Sequence, residues 1–225
     1  MILVDVSPPL GHYTVFPLLA RRFNRAGFNV AALVAANDLQ RRPRRPTKGN
    51  LLDLAQAMAQ NIAEIRALTG WLLDEGCPSV ALLGFSQGGW LAGLTACSDA
   101  RIAAAVLVVP GVRMCMWRSS PRVVWRRVRE AFQALRPAHE AMDTTRLNLI
   151  LSTPVIPKEN ILLIVGIHDL FAKGQPYEEL WQKWQQPEIW RLPHGHVSAQ
   201  LRLGLMGRVL RWLAPRLEAG RKNNA

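Results

Sequence analysis

Val80-Ala81-Leu82-Leu83-Gly84-Phe85-Ser86-Gln87-Gly88-Gly89-Trp90-Leu91-Ala92-Gly93-Leu94 is the stretch on which the fold turns. Its opening four residues are apolar without alternation, the pattern of a strand buried on both faces. Its end, with Leu91, Ala92, Leu94 and Thr95, has helical character. Between them Gly84-Phe85-Ser86-Gln87-Gly88 matches G-x-S-x-G, which carries meaning only between a strand and a helix. Such a turn forces its serine into a sparsely populated backbone conformation, so the flanking positions must be small. Gly84, Gly88 and Gly89 supply that room. The hydroxyl then projects at the head of a helix, where backbone N–H groups can stabilise an oxyanion. The reading is Ser86 as nucleophile; the competing one is an ordinary glycine turn.

Working outward, the chain reads as alternating strands and helices. Ile2–Val6 is a strand, and Ser7–His12, with two prolines, cannot continue it. Thr14 caps a helix carrying Phe16, Leu18, Leu19 and Phe23, which Gly27 ends. Phe28–Ala35 is a second buried strand, and the polar, Pro-rich Asn37–Asn50 is a surface loop. Leu51–Leu73 is a long amphipathic helix that leads to the Ser86 strand. Downstream, Ile102–Val109, Ile161–Val165 and Glu188–Leu192 read as strands, with helices at Tyr177–Trp184 and Ser198–Leu217. This order predicts one α/β domain over 1–225 with a mostly parallel sheet. About fifty residues separate the strands ending at Val109 and starting at Ile161, too many for a simple crossover. The region at about 111–160 is therefore expected to hold an insertion. Within it Arg122–Arg136 sets Val124, Trp125, Val128, Phe132 and Leu135 on one face, as a lid or as a packed crossover helix.

Composition narrows the class. Hydrophobic residues make up 49% and charged residues 20%, as in a globular chain and unlike a disordered one. No run is long enough for a membrane span, and MILVDV is too short for a signal peptide, so a cytoplasmic setting is expected. Cys77, Cys97 and Cys115 share no metal-like spacing and read as small apolar fillers; no metal or cofactor is expected. The net charge of +12 lies in Arg41–Arg45, Arg113–Arg136 and Arg202–Lys222. No nucleic-acid-binding signature accompanies these patches, so solvated faces are expected and no specific nucleic-acid partner.

A serine nucleophile needs a base and an orienting acid, and ligands of parallel sheets gather at the carboxyl ends of the strands. Two such ends follow Ser86. One is Val165-Gly166-Ile167-His168-Asp169; the other is Leu192-Pro193-His194-Gly195-His196-Val197-Ser198. Asp169 and His196 stand one helix and one strand apart, which returns both to the same edge. The chain order Ser86, Asp169, His196 is then that of an α/β hydrolase. His196 would relay the serine proton and Asp169 would fix its tautomer. His194 is the rival base, and Asp143 the alternative acid. The oxyanion hole is expected from the backbone N–H of Gln87 and one from Gly11 or His12. Trp90, Trp117 and Trp125 are candidates for an acyl pocket.

GFSQGG at Gly84–Gly89, GxxD at Gly166–Asp169 and PHGHVSA at Pro193–Ala199 resemble the α/β-hydrolase superfamily, in its carboxylesterase-like and lipase-like branches. The resemblance covers nearly the whole chain. It implies a serine hydrolase cleaving small-molecule carboxylic esters through an acyl-enzyme, with Ser86, Asp169 and His196 as the triad. The alternative is a binding or scaffold protein that keeps the fold, in which Ser86 would lie beyond reach of either histidine. Members usually carry two further strands ahead of the one at Ile2–Val6. Without them Phe28–Ala35 becomes a sheet edge, and a homodimer or a covering segment is expected there.

Overall fold

The computed structural model describes residues 2–5, 16–36, 41, 51–113, 145–170 and 175–223. Among them six strands form one sheet: β1 (Ile2–Asp5), β2 (Ala31–Val34), β3 (Val80–Phe85), β4 (Ile102–Val108), β5 (Ile161–Gly166) and β6 (Glu188–Leu192). Their order is β2-β1-β3-β4-β5-β6, and every pairing is parallel. The expected α/β class is the one found. Every residue of β3 and β5 is buried, which explains their unbroken apolar runs.

The helices are α1 (Phe16–Arg25), α2 (Leu51–Asp74), α3 (Gln87–Ala96), α4 (Gln175–Lys183), α5 (His196–Gln200) and α6 (Leu205–Asn223). Their faces follow from the path of the chain. β1 leads outward to β2, and β2 then crosses back over β1 to reach β3. With right-handed crossovers, that reversal sends α1 and α2 to opposite faces of the sheet. The core divides accordingly. Met58, Ile65, Trp90, Leu91, Leu94, Tyr177 and Leu180, from α2, α3 and α4, pack on one face with Leu82, Leu107 and Leu163. Phe16, Phe23, Val209, Trp212 and Leu213, from α1 and α6, pack on the other with Leu83, Val106 and Ile164. The alternation of β3, β4 and β5 residues between the two clusters is the period-2 geometry of a strand.

α3 is buried from Gly88 to Ala96, because it lies between the sheet and α2. The reversal of strand order sits between β1 and β3, next to the head of α3, which is where open α/β sheets place ligands.

Three differences from the sequence reading have physical causes. The single helix expected over Ser198–Leu217 is two, α5 and α6, because Gly204 adopts φ 78° and breaks the run; Leu203 beside it is 95% exposed. The strand expected at Phe28–Ala35 shortens to Ala31–Val34, with Arg41 Nη1 donating to the Val34 carbonyl just where it ends. The far end of the expected insertion is core: short turns at Thr145–Leu147 and Leu149–Leu151 place Leu149 and Ile150 beneath α3 and α4. The Arg122–Arg136 helix and Asp143 lie outside the described residues.

Several of the described arginines are engaged. Arg41 meets Glu64 through two nitrogens, Arg191 meets Glu178 in the same way, and Arg101 grips the buried Asp99. Arg191, Arg208 and Arg216 lie over the rings of Trp181, Trp190 and Trp212.

Candidate active site

β3 ends at Phe85, and α3 begins at Gln87, so Ser86 alone makes the turn. It does so at φ 51° and ψ −114°, a region that a residue with a side chain rarely adopts. The surrounding glycines are required by contact. A Cβ on Gly84 would stand 2.2 Å from the Gly88 carbonyl oxygen and 2.6 Å from Gly89 N. One on Gly89 would stand 3.1 Å from the Gly84 carbonyl oxygen and 3.2 Å from Pro110.

The serine backbone is tied down by the end of β4. Ser86 N–H donates to the Val108 carbonyl at 2.8 Å, and the Ser86 carbonyl accepts from Trp90 N–H and Gly111 N–H, each at 3.1 Å. Between these ties Val109 takes φ 42°, unusual for a β-branched residue, while donating to the Ile164 carbonyl.

Asp169 and His196 arrive from the ends of β5 and β6. Gly166 pairs with Leu192 in register, and the two chains stay joined beyond the sheet. Ile167 N–H donates to the Leu192 carbonyl at 2.9 Å and His168 N–H to the His194 carbonyl at 3.1 Å. Gly166 lets these chains close up, because a Cβ there would lie 2.5 Å from the His194 carbonyl oxygen. Past the junction Asp169 turns back, its N–H donating to the Gly166 carbonyl at 3.1 Å. His196 opens α5, whose lead-in is fixed by Gly195 N–H donating to Ser198 Oγ at 3.0 Å.

These three side chains come together. Ser86 Oγ lies 2.8 Å from His196 Nε2, and His196 Nδ1 lies 2.8 Å from Asp169 Oδ2. The Asp169 carboxyl is fully enclosed, while the imidazole keeps slight access to solvent. This arrangement suits nucleophilic attack by Ser86, with the proton passing to His196. Gln87 is the first residue of α3, so its N–H has no acceptor within the helix and faces the end where negative charge is favoured.

The other expected residues fall differently. His194 holds Nδ1 shielded from solvent without a hydrogen bond, and His196 is the histidine that reaches Ser86. Trp90 is 2% exposed; its indole donates to the Leu147 carbonyl and its ring packs against Gly111, so it forms part of the core beside the elbow, with almost no surface to offer a pocket. Gly11, His12, Trp117 and Trp125 lie outside the described residues. One residue at the site was read in the sequence only as the start of a helix. Tyr177 is 1% exposed, and its O–H donates to Asp169 Oδ2 at 2.9 Å. Burial, and then the adjacent carboxylate, push its phenol well above the ordinary value of 10.0.

An all-parallel sheet with a left-handed serine between its central strand and a buried helix defines an α/β hydrolase. The chain belongs to the serine hydrolase family: the family described as Serine hydrolase (FSH1) matches residues 50–199. The Mycobacterium tuberculosis protein Rv2627c is 29% identical to it over 159 residues, which are 66% of this chain and 36% of that protein. The chain thus spans little more than a third of the curated relatives it matches. The Pyrococcus furiosus esterase Pf2001 superposes with a TM-score of 0.64 at 17% identity, over 96% of this chain and 82% of that one. Acetyl xylan esterase 1 from Thermoanaerobacterium gives 0.61 at 17% identity, over 96% and 74%. Identity at this level speaks for the fold. Among the described residues no helix is long and apolar enough to cross a membrane, and no cluster of side chains suits a metal ion.

Proposed function

We propose that this serine hydrolase cleaves carboxylic esters through an acyl-enzyme, with Ser86 as nucleophile, His196 as base and then acid, and Asp169 as the group that orients it. The reading is carried by one observation, the relay Ser86 Oγ, His196 Nε2 and Nδ1, Asp169 Oδ2, with both separations at 2.8 Å. As the Ser86 oxygen adds to the ester carbonyl, His196 Nε2 takes its proton, and Asp169 stabilises the imidazolium without itself being protonated. The same proton then passes to the leaving alcohol. Water, activated by His196, releases the acid and restores the serine.

The oxyanion would accept from Gln87 N–H at the head of α3, with a second donor expected at Gly11 or His12. Ile167, Leu170, Val197 and Leu201, all exposed and close in sequence to Asp169 or His196, favour a substrate with an apolar portion. Trp117 and Trp125 remain candidates for its acyl pocket. The scaffold reading required Ser86 to stand beyond reach of the histidines, and the 2.8 Å separation gives it no support.

The test is labelling with a fluorophosphonate together with hydrolysis of short p-nitrophenyl esters. Ser86→Ala is expected to remove labelling and to lower kcat/KM by about a thousandfold or more. Labelling that survives in Ser86→Ala overturns the assignment.

A further inference from the structure

Asp169 Oδ2 faces two donors at once. His196 Nδ1 approaches it at 2.8 Å and the Tyr177 hydroxyl at 2.9 Å. Tyr177 comes from α4, on the α2/α3 face of the sheet, and its ring is enclosed in the core cluster there. A carboxylate oxygen has lone pairs enough for both donors, but each bond it accepts draws charge away from the other. A second donor on the oxygen that serves the imidazole therefore weakens the pull of Asp169 on the imidazole proton. Burial, and then Asp169, push its phenol above the ordinary value, which favours the protonated, donating form seen in the hydrogen bond to Oδ2.

We propose that Tyr177 is a positioning residue that holds the Asp169 carboxylate and tempers its pull on the His196 imidazole. This rests on the reading of Ser86, His196 and Asp169 as the working triad.

Tyr177 is the core side chain that donates to the same oxygen as His196. The neighbouring carboxylates of α4 are committed elsewhere: Glu178 to Arg191 at 2.7 Å and Glu179 to Arg113 at 3.8 Å. From the β5 end, His168 is exposed, and it is its backbone N–H that bonds to His194. From the β6 end, His194 keeps an unbonded Nδ1, and the elbow contributes the Ser86 hydroxyl.

The sign follows from proton affinity. Removing the phenolic donor leaves more negative charge on Oδ2, strengthens the imidazolium form, and raises the pH at which the pair gives up its proton. The experiment measures kcat/KM for a p-nitrophenyl ester, and the rate of fluorophosphonate labelling of Ser86, between about pH 5 and about pH 9. In Tyr177→Phe the acid limb is expected to move up by about half a unit to one unit. KM should stay within about threefold of the parent, while the high-pH plateau falls to whatever extent Asp169 loses its alignment. Installing 3-fluorotyrosine at position 177, which keeps the side chain's size and makes it a stronger donor, should move the limb down, and it carries the test if Tyr177→Phe does not fold.

An acid limb that stays in place in both variants overturns the inference, whether or not the plateau falls, since a purely structural role would lower the rate without moving the limb. A parent protein that neither hydrolyses esters nor labels at Ser86 overturns the triad reading itself. A parent that labels, with an unmoved limb in the variants, overturns only the role of Tyr177.

Discussion

The elbow and the acid–histidine corner each hold a side chain of the proposed triad still, by opposite means. The elbow is one stretch of chain. Gly84, Ser86, Gly88 and Gly89 are neighbours in sequence, and their close contacts with one another fix the geometry. The corner is assembled from Asp169 on one loop, His196 at the head of α5 and Tyr177 on α4, joined by bonds between the chains that leave β5 and β6. A local motif can specify the first. The second depends on strand register, which is settled only when the whole sheet forms.

One methyl group placed in each region tests the contrast. Gly84→Ala should have the larger effect, because the added Cβ meets backbone at 2.2 Å and neither partner can rotate away. We expect at least about 3 kcal/mol of lost stability, read as a fall in Tm of about 10 °C, with activity lost alongside. Gly166→Ala places its Cβ 2.5 Å from the His194 carbonyl oxygen, which belongs to a surface turn that can yield. There the fold should survive with about 1–2 kcal/mol lost, while displacement of His196 lowers kcat/KM by about ten- to a hundredfold. Equal losses of stability in the two variants would erase the distinction between a self-contained and an assembled region.

A carboxylate outside both regions supplies the reference and the smallest effect. The Arg101 guanidinium, bonded to Asp99 at 2.6 and 2.9 Å, holds its carboxyl below the ordinary 3.8. A carboxyl depressed in the folded state stabilises the fold above its unfolded pKa, and this contribution is lost as pH falls through the folded value. Asp99→Asn should therefore cost about 1 kcal/mol near neutral pH, with the gap from the parent closing below about pH 4. Denaturant midpoints across that range, with ester hydrolysis unchanged at neutral pH, would confirm that the site does not feel this pair. A gap that widens toward acid would contradict the assigned direction.

How much of this was legible in the sequence follows the same division. The elbow could be read because a strand, three glycines and a helix stand in one short run, and each constraint acts on a close neighbour. Asp169 and His196 could be located because glycines and a proline mark where β5 and β6 end, and strand ends of a parallel sheet share an edge. Tyr177 carried no comparable mark. Its reach to Asp169 depends on how α4 is rolled against the sheet, and an aromatic residue in an amphipathic helix looks like any other core contact. Trp90 could be read either as core or as pocket lining, and its burial, with the indole donating to the Leu147 carbonyl, places it in the core. The break between α5 and α6 was hidden because a single glycine within a helical stretch does not by itself end it, whereas here Gly204 is left-handed and Leu203 beside it is exposed.

The left-handed backbone of Ser86 has a consequence for the resting fold. Conformations of this kind cost of order 1–3 kcal/mol at a residue bearing a side chain, and the cost is borne in every resting molecule, between encounters as well as during them. Glycine would sit there in comfort. A chain optimised for stability alone would carry glycine at 86, so on the reading of Ser86 as nucleophile some stability is surrendered there to chemistry.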